Sequence, residues 1–235
     1  MTIETLGDWQ PSPANPALSD LEVHLWLAHV DRGARDIHVL AGDERLRSAQ
    51  FRFDRDRHRW EASHVLLRTV LARYLHLSPD KLVLDSRPTA RPVLRWPPNS
   101  EWLRFSLSHS GELAIVAVAK DQEVGVDIEM RKPMQDLDMV AVSRRISGDD
   151  AAAHLEALSP EHRNKQFFLQ WVRQEAVGKF LGTGLVDLQD IKVDAGLNVI
   201  DLDLGPDYVG AVAFERPPKE IRLWRTELMP PPIVS

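Results

Sequence analysis

Alternation of apolar and polar positions predicts β-strands in both halves of the chain. The segment 21–28, Leu-Glu-Val-His-Leu-Trp-Leu-Ala, places its apolar side chains on one face with the period of two that a strand requires. A short turn at 120–122 joins two further predicted strands. These two strands lie near 113–119 and 124–129. The other predicted strands lie near 81–86, 91–96, 190–194, 199–202, 208–214 and 221–224.

A period close to 3.6 predicts two long helices. Asp54 is a candidate cap for a helix that runs to about Leu75, with an apolar stripe along one side. Ser159 followed by Pro160 predicts the start of the second helix, and Gly182 predicts its end. Two weaker helices are predicted near 137–145 and 149–158. This order indicates an α+β protein with two similar halves, which we divide into residues 1–121 and 122–235.

Composition changes this picture little. The chain has 235 residues, 43% of them hydrophobic and 27% charged, and this is ordinary for a soluble globular protein. It has no cysteine, so disulfides, thiol nucleophiles and Cys-ligated zinc are excluded. We expect no signal peptide and no membrane span. A cytoplasmic monomer is the simplest expectation.

Charge is unevenly distributed. The net charge is −6, but eight arginines and only three acidic residues lie between positions 45 and 73. This local excess favours an anionic ligand, although a solvated helix face explains most of it equally well. A nucleic-acid-binding protein is a possible alternative, but the bulk charge opposes it and aromatic residues are not interleaved with the basic ones. The basic residues nearest the start of the first long helix are Arg45, Arg47, Arg52, Arg55, Arg57 and Arg59.

Two carboxylates lie on one face of a predicted strand. Asp127 and Glu129 are two residues apart in Gly-Val-Asp-Ile-Glu, so their side chains point the same way. Two such carboxylates repel each other unless a cation lies between them, and an all-oxygen ligand set favours Mg²⁺ over zinc. The alternative is a solvated strand edge.

The second long helix carries another charged pair. Glu175 and Lys179 are four residues apart on one helix face. Trp171 and Phe168 lie on the same face, one and two turns before Glu175 respectively. Glu175 is a candidate metal ligand or proton acceptor, and Lys179 a candidate ligand of phosphate oxygens. A simple salt bridge between the two side chains is the alternative.

A serine-rich segment, Phe105-Ser-Leu-Ser-His-Ser-Gly111, predicts a tight turn at its glycine. Ser108 and Ser110 can donate hydrogen bonds from this turn, and His109, as a cation or a donor, can hold a pyrophosphate there. A lone histidine is more often structural, so both interpretations stay open. The chain contains no glycine-rich dinucleotide motif, no P-loop and no nucleophile elbow.

Taken together, these motifs resemble the Sfp-type, or group II, 4′-phosphopantetheinyl transferases. The family pattern is Ser-His-Ser, then Gly-(Ile/Val)-Asp-x-Glu, then Trp-x-x-Lys-Glu-x-x-x-Lys. The chain has Ser108-His-Ser110, Gly125 to Glu129 and Trp171 to Lys179 in that order. The resemblance covers roughly residues 40–195. Each motif is weak by itself, and their order makes the set specific.

The resemblance implies Mg²⁺-dependent transfer of 4′-phosphopantetheine from coenzyme A to a serine of an acyl or peptidyl carrier protein, with release of 3′,5′-ADP. It implies that Asp127, Glu129 and Glu175 hold Mg²⁺, and that Glu175 also accepts the proton of the serine. The same resemblance implies that the diphosphate of coenzyme A is bound by Lys179, Ser108 and His109. It implies two similar α+β halves related by a pseudo-twofold axis, with neither nucleic acid nor membrane as a partner. The arginines implied for the 3′-phosphate and adenine end of coenzyme A are Arg47, Arg59 and Arg91.

Three positions depart from the family pattern. Gln174 replaces the usual lysine, Thr183 replaces the lysine of a Gly-Lys-Gly, and Ala90 precedes Arg91-Pro92 where Gly-Lys-Pro is common. None of these departures removes an implied metal ligand, so activity is expected. A non-catalytic module that binds coenzyme A or carrier protein is the remaining alternative.

Overall fold

The computed structural model describes residues 5–31, 36–85, 92–183 and 197–228. Predicted features outside these ranges are the strand near 190–194, Arg91 at the start of the predicted strand at 91–96, and the last residue of the predicted strand at 81–86. In chain order the elements are β1 (Thr5–Leu6), β2 (Gln10–Pro11), β3 (Glu22–His29), α1 (Gly42–Ser48), α2 (Asp54–Leu75), β4 (Val83–Asp85), β5 (Val93–Trp96), β6 (Leu103–Ser110), β7 (Leu113–Lys120), β8 (Val124–Met130), α3 (Asp136–Ser147), α4 (Asp149–Ala157), α5 (Pro160–Leu181), β9 (Asn198–Leu202), β10 (Tyr208–Phe214) and β11 (Glu220–Arg225). Single-turn 3₁₀ helices lie at Ile37–Val39 and Pro79–Lys81.

The chain divides into two compact units. One consists of Met1–Gly7 and Glu123–Pro217, and the other of Asp8–Gln122 and Pro218–Ser235. The predicted division at residue 121 therefore differs from these units at both chain ends. The reason is strand pairing, because β1 pairs with β9 while β11 pairs with β3.

The unit formed mainly by residues 8–122 contains a five-stranded sheet in the order β2-β11-β3-β7-β6. The strands β3, β7 and β6 pair antiparallel, and β11 pairs parallel with β3. Helix α2 packs against β6 and β7. Its buried side chains, including Leu66, Leu67 and Leu71, form one core with Trp26, Val116 and Val118 of the sheet. A separate β4-β5 hairpin completes the sheets of this unit.

The unit formed mainly by residues 123–217 contains a four-stranded sheet in the order β1-β9-β10-β8. Helix α5 packs against β8 and β10, and α3 and α4 cover α5. The core between helix and sheet joins Val172, Ala176 and Val177 of α5 to Ala211 and Ala213 of β10. Both units thus place one 22-residue helix against a mixed sheet, and this confirms the α+β prediction.

Helix α5 has the predicted bounds. Ser159 is its N-cap, Pro160 occupies the first turn, and Gly182 is the C-cap with φ of +73°. Helix α2 ends at Leu75 as predicted, and the left-handed conformation of His76 terminates it. Its start differs from the prediction, because Phe53 is the N-cap and makes no side-chain cap.

The extent of the serine-rich turn was predicted wrongly. Residues 103–110 form a strand, β6, and the turn begins at Gly111, the glycine at which a tight turn was predicted. Ser106 and Ser108 are buried in this strand, so the backbone pairing with β7 overrides the turn preference of serine. The strands predicted on either side of 120–122 are confirmed as β7 and β8. They belong to different sheets, since β7 pairs with β3 and β6 while β8 pairs with β10.

Candidate active site

Strand β8 directs its small and acidic side chains toward α5. Gly125, Asp127 and Glu129 share one face, while Val124, Val126 and Ile128 share the other and are at most 1% exposed. The apolar face was predicted, and its burial is confirmed.

Gly125 permits an unusually close approach of helix and strand. A Cβ atom at this position would lie 2.0 Å from the carbonyl oxygen of Ala176 and 2.5 Å from the backbone nitrogen of Phe180. Only glycine leaves room for α5 to pass so near β8. Glu175 directly precedes Ala176, so this approach holds its backbone close to the acidic face of β8.

Lys179 and Asp127 form an ion pair across this interface. The Lys179 Nζ donates to Asp127 Oδ1 at 2.8 Å, and the Asp127 side chain is 7% exposed. Lys179 also acts electrostatically on Glu175, the partner that the simple salt-bridge alternative gave it. Through the ion pair, the lysine compensates a buried carboxylate on the neighbouring strand.

Glu175 is held in a form that resists ionisation. Burial first, and then the nearby charge of Asp127, raise the pKa of its carboxyl to about 7, and Glu129 adds to this effect. The positive charge of Lys179 opposes the rise. The Glu175 Oε1 atom is buried and accepts no hydrogen bond from the described part of the chain. These three carboxylates therefore share one electrostatic environment that holds an excess of negative charge.

Carboxylate oxygen atoms are suitable ligands for Mg²⁺, and the buried Oε1 of Glu175 is one oxygen atom that can bind a cation. Within residues 5–31, 36–85, 92–183 and 197–228, no group of three or more His, Asp or Glu side chains is close enough to hold one metal ion. Asp127, Glu129 and Glu175 consequently remain predicted metal ligands.

In the other unit, Ser108 and His109 are neighbours on β6, so their side chains point to opposite faces of the strand. Ser108 is buried and His109 is exposed. The charge of His109 acts on His64 of α2, as does that of Arg47 of α1. The structure thus brings Arg47 and His109, both predicted ligands of coenzyme A, to the surroundings of one buried histidine.

His64 and Trp60 were missed in the sequence. Their rings stack with centroids 3.7 Å apart, and the Arg47 guanidinium lies 5.8 Å from the centre of the Trp60 ring. Burial above all lowers the pKa of His64 to about 3, and the charges of His109 and Arg47 add to the effect. The neutral His64 side chain and the Trp60 ring stacked on it therefore lie beneath the Arg47 guanidinium. The spacing of four residues along α2 was the available signal.

Arg59 is engaged by an acidic partner. Its guanidinium donates to both oxygens of Asp31, with Nε 2.9 Å from Oδ1 and Nη2 2.6 Å from Oδ2. This pair lowers the pKa of Asp31, so the carboxylate stays ionised and compensates the arginine. The predicted role of Arg59 at the 3′-phosphate remains a prediction, as does that of Arg91, which lies outside the described residues.

No helix in the described residues is long and apolar enough to cross a membrane. Family models match both parts of the chain. Residues 25–121 match the N-terminal 4′-phosphopantetheinyl transferase model, and residues 123–225 match the 4′-phosphopantetheinyl transferase superfamily.

Three relatives give the same result. The chain is 33% identical to the 4′-phosphopantetheinyl transferase HetI of a Nostoc species, over 79% of each chain. It is 31% identical to a phosphopantetheinyl transferase of a Thraustochytrium species, over 78% of this chain and 68% of the relative. It is 26% identical to the L-aminoadipate-semialdehyde dehydrogenase-phosphopantetheinyl transferase of Xenopus laevis, over 71% of this chain and 57% of the relative.

Each of the two α+β units is matched by a 4′-phosphopantetheinyl transferase model, so the chain is a transferase. The chain belongs to the 4′-phosphopantetheinyl transferase superfamily. The predicted family and the predicted enzyme class, phosphopantetheinyl transferase, are thereby confirmed.

Proposed function

We propose that this transferase uses coenzyme A to modify a serine of an apo acyl or peptidyl carrier protein and requires Mg²⁺ for that reaction. The observation that carries the proposal is the environment of Glu175. A half-buried carboxyl with a pKa of about 7, beside two other carboxylates and one lysine, is suited both to accept a proton and to help bind a cation.

In the proposed reaction the serine hydroxyl oxygen bonds to the β-phosphorus of coenzyme A. The bond between that phosphorus and the bridging oxygen breaks, and 3′,5′-ADP leaves with the bridging oxygen. Glu175 accepts the serine proton, directly or through one water molecule. Burial and the neighbouring carboxylates raise the pKa of Glu175 before a cation binds, and a bound cation would lower it and favour the ionised form that accepts a proton.

Asp127, Glu129 and Glu175 would hold the cation. When bound, Mg²⁺ would neutralise charge on the pyrophosphate. Lys179 would then bind the diphosphate. His109 and Ser108, on β6, are proposed as further ligands of coenzyme A. Arg47, supported by the Trp60 ring, would bind the phosphate at the adenine end.

The experiment is intact-protein mass spectrometry of apo carrier proteins incubated with the enzyme, coenzyme A and Mg²⁺. A panel of fatty-acid, polyketide and peptide carriers defines the substrate range. We expect a mass gain of one phosphopantetheine on at least one carrier, and its loss when EDTA is added. No gain on any carrier, or an equal gain with EDTA, contradicts the proposed substrates or the proposed metal respectively.

Glu175→Gln tests the proton acceptor. It keeps the shape of the side chain and removes its charge, so we expect kcat to fall by roughly 10²-fold or more while the fold is retained. Glu161→Gln is the matched control, because Glu161 is exposed in the first turn of the same helix. Turnover of the Glu175 variant equal to that of the control contradicts the assigned role.

A further inference from the structure

A second ion pair joins α5 to the sheet that carries the acidic residues. Arg173 donates to both oxygens of Asp201 on β9, with Nε 2.9 Å from Oδ1 and Nη2 2.7 Å from Oδ2. Asp201 is buried and Arg173 is half-buried. Two parallel hydrogen bonds between a planar guanidinium and a carboxylate restrict orientation more strongly than a single lysine contact does.

The strand register places this pair in line with the candidate site. Asp201 lies opposite Ala211 of β10, and Ala211 lies opposite Asp127 of β8. The two aspartates therefore point to the same face, one on either side of a small buried alanine. At ~4.8 Å between strands they are separated by roughly 10 Å, close to the diameter of a helix.

The helix presents a matching arrangement. At about 100° per residue, Arg173 and Glu175 point about 160° apart around α5. They lie on opposite flanks of the stripe formed by Val172 and Ala176, both 0% exposed. Lys179 shares the flank of Glu175. Consequently Lys179 holds one flank of α5 to Asp127, and Arg173 holds the other flank to Asp201.

The apolar core around Val172 and Ala176 already limits how far the helix can roll about its long axis. Ion pairs on both flanks oppose the remaining rotation in either direction, whereas a pair on one flank opposes it less. Rolling would move Glu175 relative to Asp127 and Glu129, because Glu175 lies on a flank and not at the centre of the buried stripe. The Gly125 contact limits how far α5 can be from the sheet, but an approach at one point does not fix rotation.

We propose that Arg173 and Asp201 are positioning residues of the transferase, which set the rotation of α5 so that Glu175 faces Asp127 and Glu129. The inference rests on the proposed function, since it assigns a purpose to the placement of Glu175. Neither residue touches the substrate, and both act through the helix.

The test compares Arg173→Met, Asp201→Asn and the double variant Arg173→Met/Asp201→Leu with the unaltered enzyme. The double variant is needed because replacing both partners of an ion pair by apolar side chains restores much of the stability that a single replacement loses. Arg222→Met is the control, because it removes an ion pair with Glu220 in which both side chains are 47% exposed. The measurements are melting temperature, kcat, KM for coenzyme A, and binding of Mn²⁺ followed by electron paramagnetic resonance with coenzyme A present.

For the double variant we expect a melting temperature near that of the unaltered enzyme, kcat lower by about tenfold or more, and weaker Mn²⁺ binding. KM for coenzyme A should change less than kcat, because the groups proposed to bind its adenine end lie elsewhere. A double variant with native stability, kcat and Mn²⁺ binding would show that the pair only stabilises the fold and would overturn the inference. Failure of the proposed function looks different, since the unaltered enzyme would then modify no carrier.

Discussion

Replacing Gly125 by alanine tests the geometry on which the candidate site depends. The added Cβ would meet the Ala176 carbonyl oxygen at 2.0 Å, whereas ordinary contact begins near 3.4 Å. Helix and strand would have to separate by about 1.4 Å at this point. Both nearest atoms belong to the backbone of α5, so no side-chain rotation can relieve the overlap.

The magnitude follows from overpacking. Extra atoms in a filled core cost about 1–3 kcal/mol, and the backbone neighbours of Gly125 place this substitution at the upper end. A loss of about 3 kcal/mol corresponds to a fall of roughly 6–12 °C in melting temperature for a protein of this size. Because Glu175 adjoins Ala176, we also expect kcat to fall by about 100-fold in protein that is still folded.

The assay pairs thermal unfolding, followed by circular dichroism, with carrier modification at 20 °C. Gly42→Ala is the matched control, since nothing lies within 4 Å of the added methyl group and Gly42 begins helix α1. This control should melt at the same temperature as the unaltered protein or slightly higher. A Gly125 variant that melts within 2 °C of the control and keeps its kcat would refute the close approach of α5 to β8.

Two further predictions concern titratable groups. The pKa of Glu175 is about 7 in the folded protein against an ordinary 4.5, so its ionisation opposes folding above pH 7 and has no effect below about pH 4.5. In EDTA, Glu175→Gln should raise the free energy of unfolding by roughly 1–2 kcal/mol at pH 8, after allowance for solvent screening, and should leave it unchanged at pH 4.5. Denaturant titrations at both pH values measure this difference. A stabilisation that persists at pH 4.5 contradicts the prediction. The pKa of His24 is lowered from 6.5 to about 4, mainly by burial, so stability is lost as pH falls from 6.5 to 4. His24→Gln should remove about 3 kcal/mol of that loss, whereas His154→Gln, at an exposed position, should change it little; equal pH profiles for the two variants would contradict the assignment.

Local signals account for the parts of the fold that the sequence predicted well. Pro160 and Gly182 bracket α5 because proline suits the first turn of a helix and glycine accepts the left-handed conformation after its end. The strands near 21–28, 199–202, 208–214 and 221–224 follow their apolar pattern. Each of these predictions needed only neighbours along the chain.

Long-range pairing explains the errors. The serine-rich segment reads as a turn by composition, but its partner β7 is continuously buried and supplies the backbone hydrogen bonds that extend it into a strand. The turn at 120–122 gave no sign that its flanking strands join different sheets. Strand partners depend on the whole apolar surface to be buried, and no window of a few residues contains that information.

The same distinction applies to the candidate site. Each motif is local and resembles a family pattern, so the sequence predicted four residues of the candidate site: Asp127, Glu129, Glu175 and Lys179. The salt bridge of Arg173 to Asp201 joins residues 28 positions apart. Such a contact leaves no local trace, so the parts of the site that orient the reacting groups are the parts that sequence reasoning missed.

The contact between Lys179 and Asp127 connects two roles that were predicted separately. Asp127 was predicted to bind a cation and Lys179 to bind a diphosphate, yet the two side chains bond to each other at 2.8 Å. A buried carboxylate needs a compensating charge, and leaving it without one costs several kcal/mol. Lys179 can therefore turn toward a diphosphate only when another cation compensates Asp127. On this argument binding of the metal and binding of the diphosphate are linked through one lysine, and each should strengthen the other.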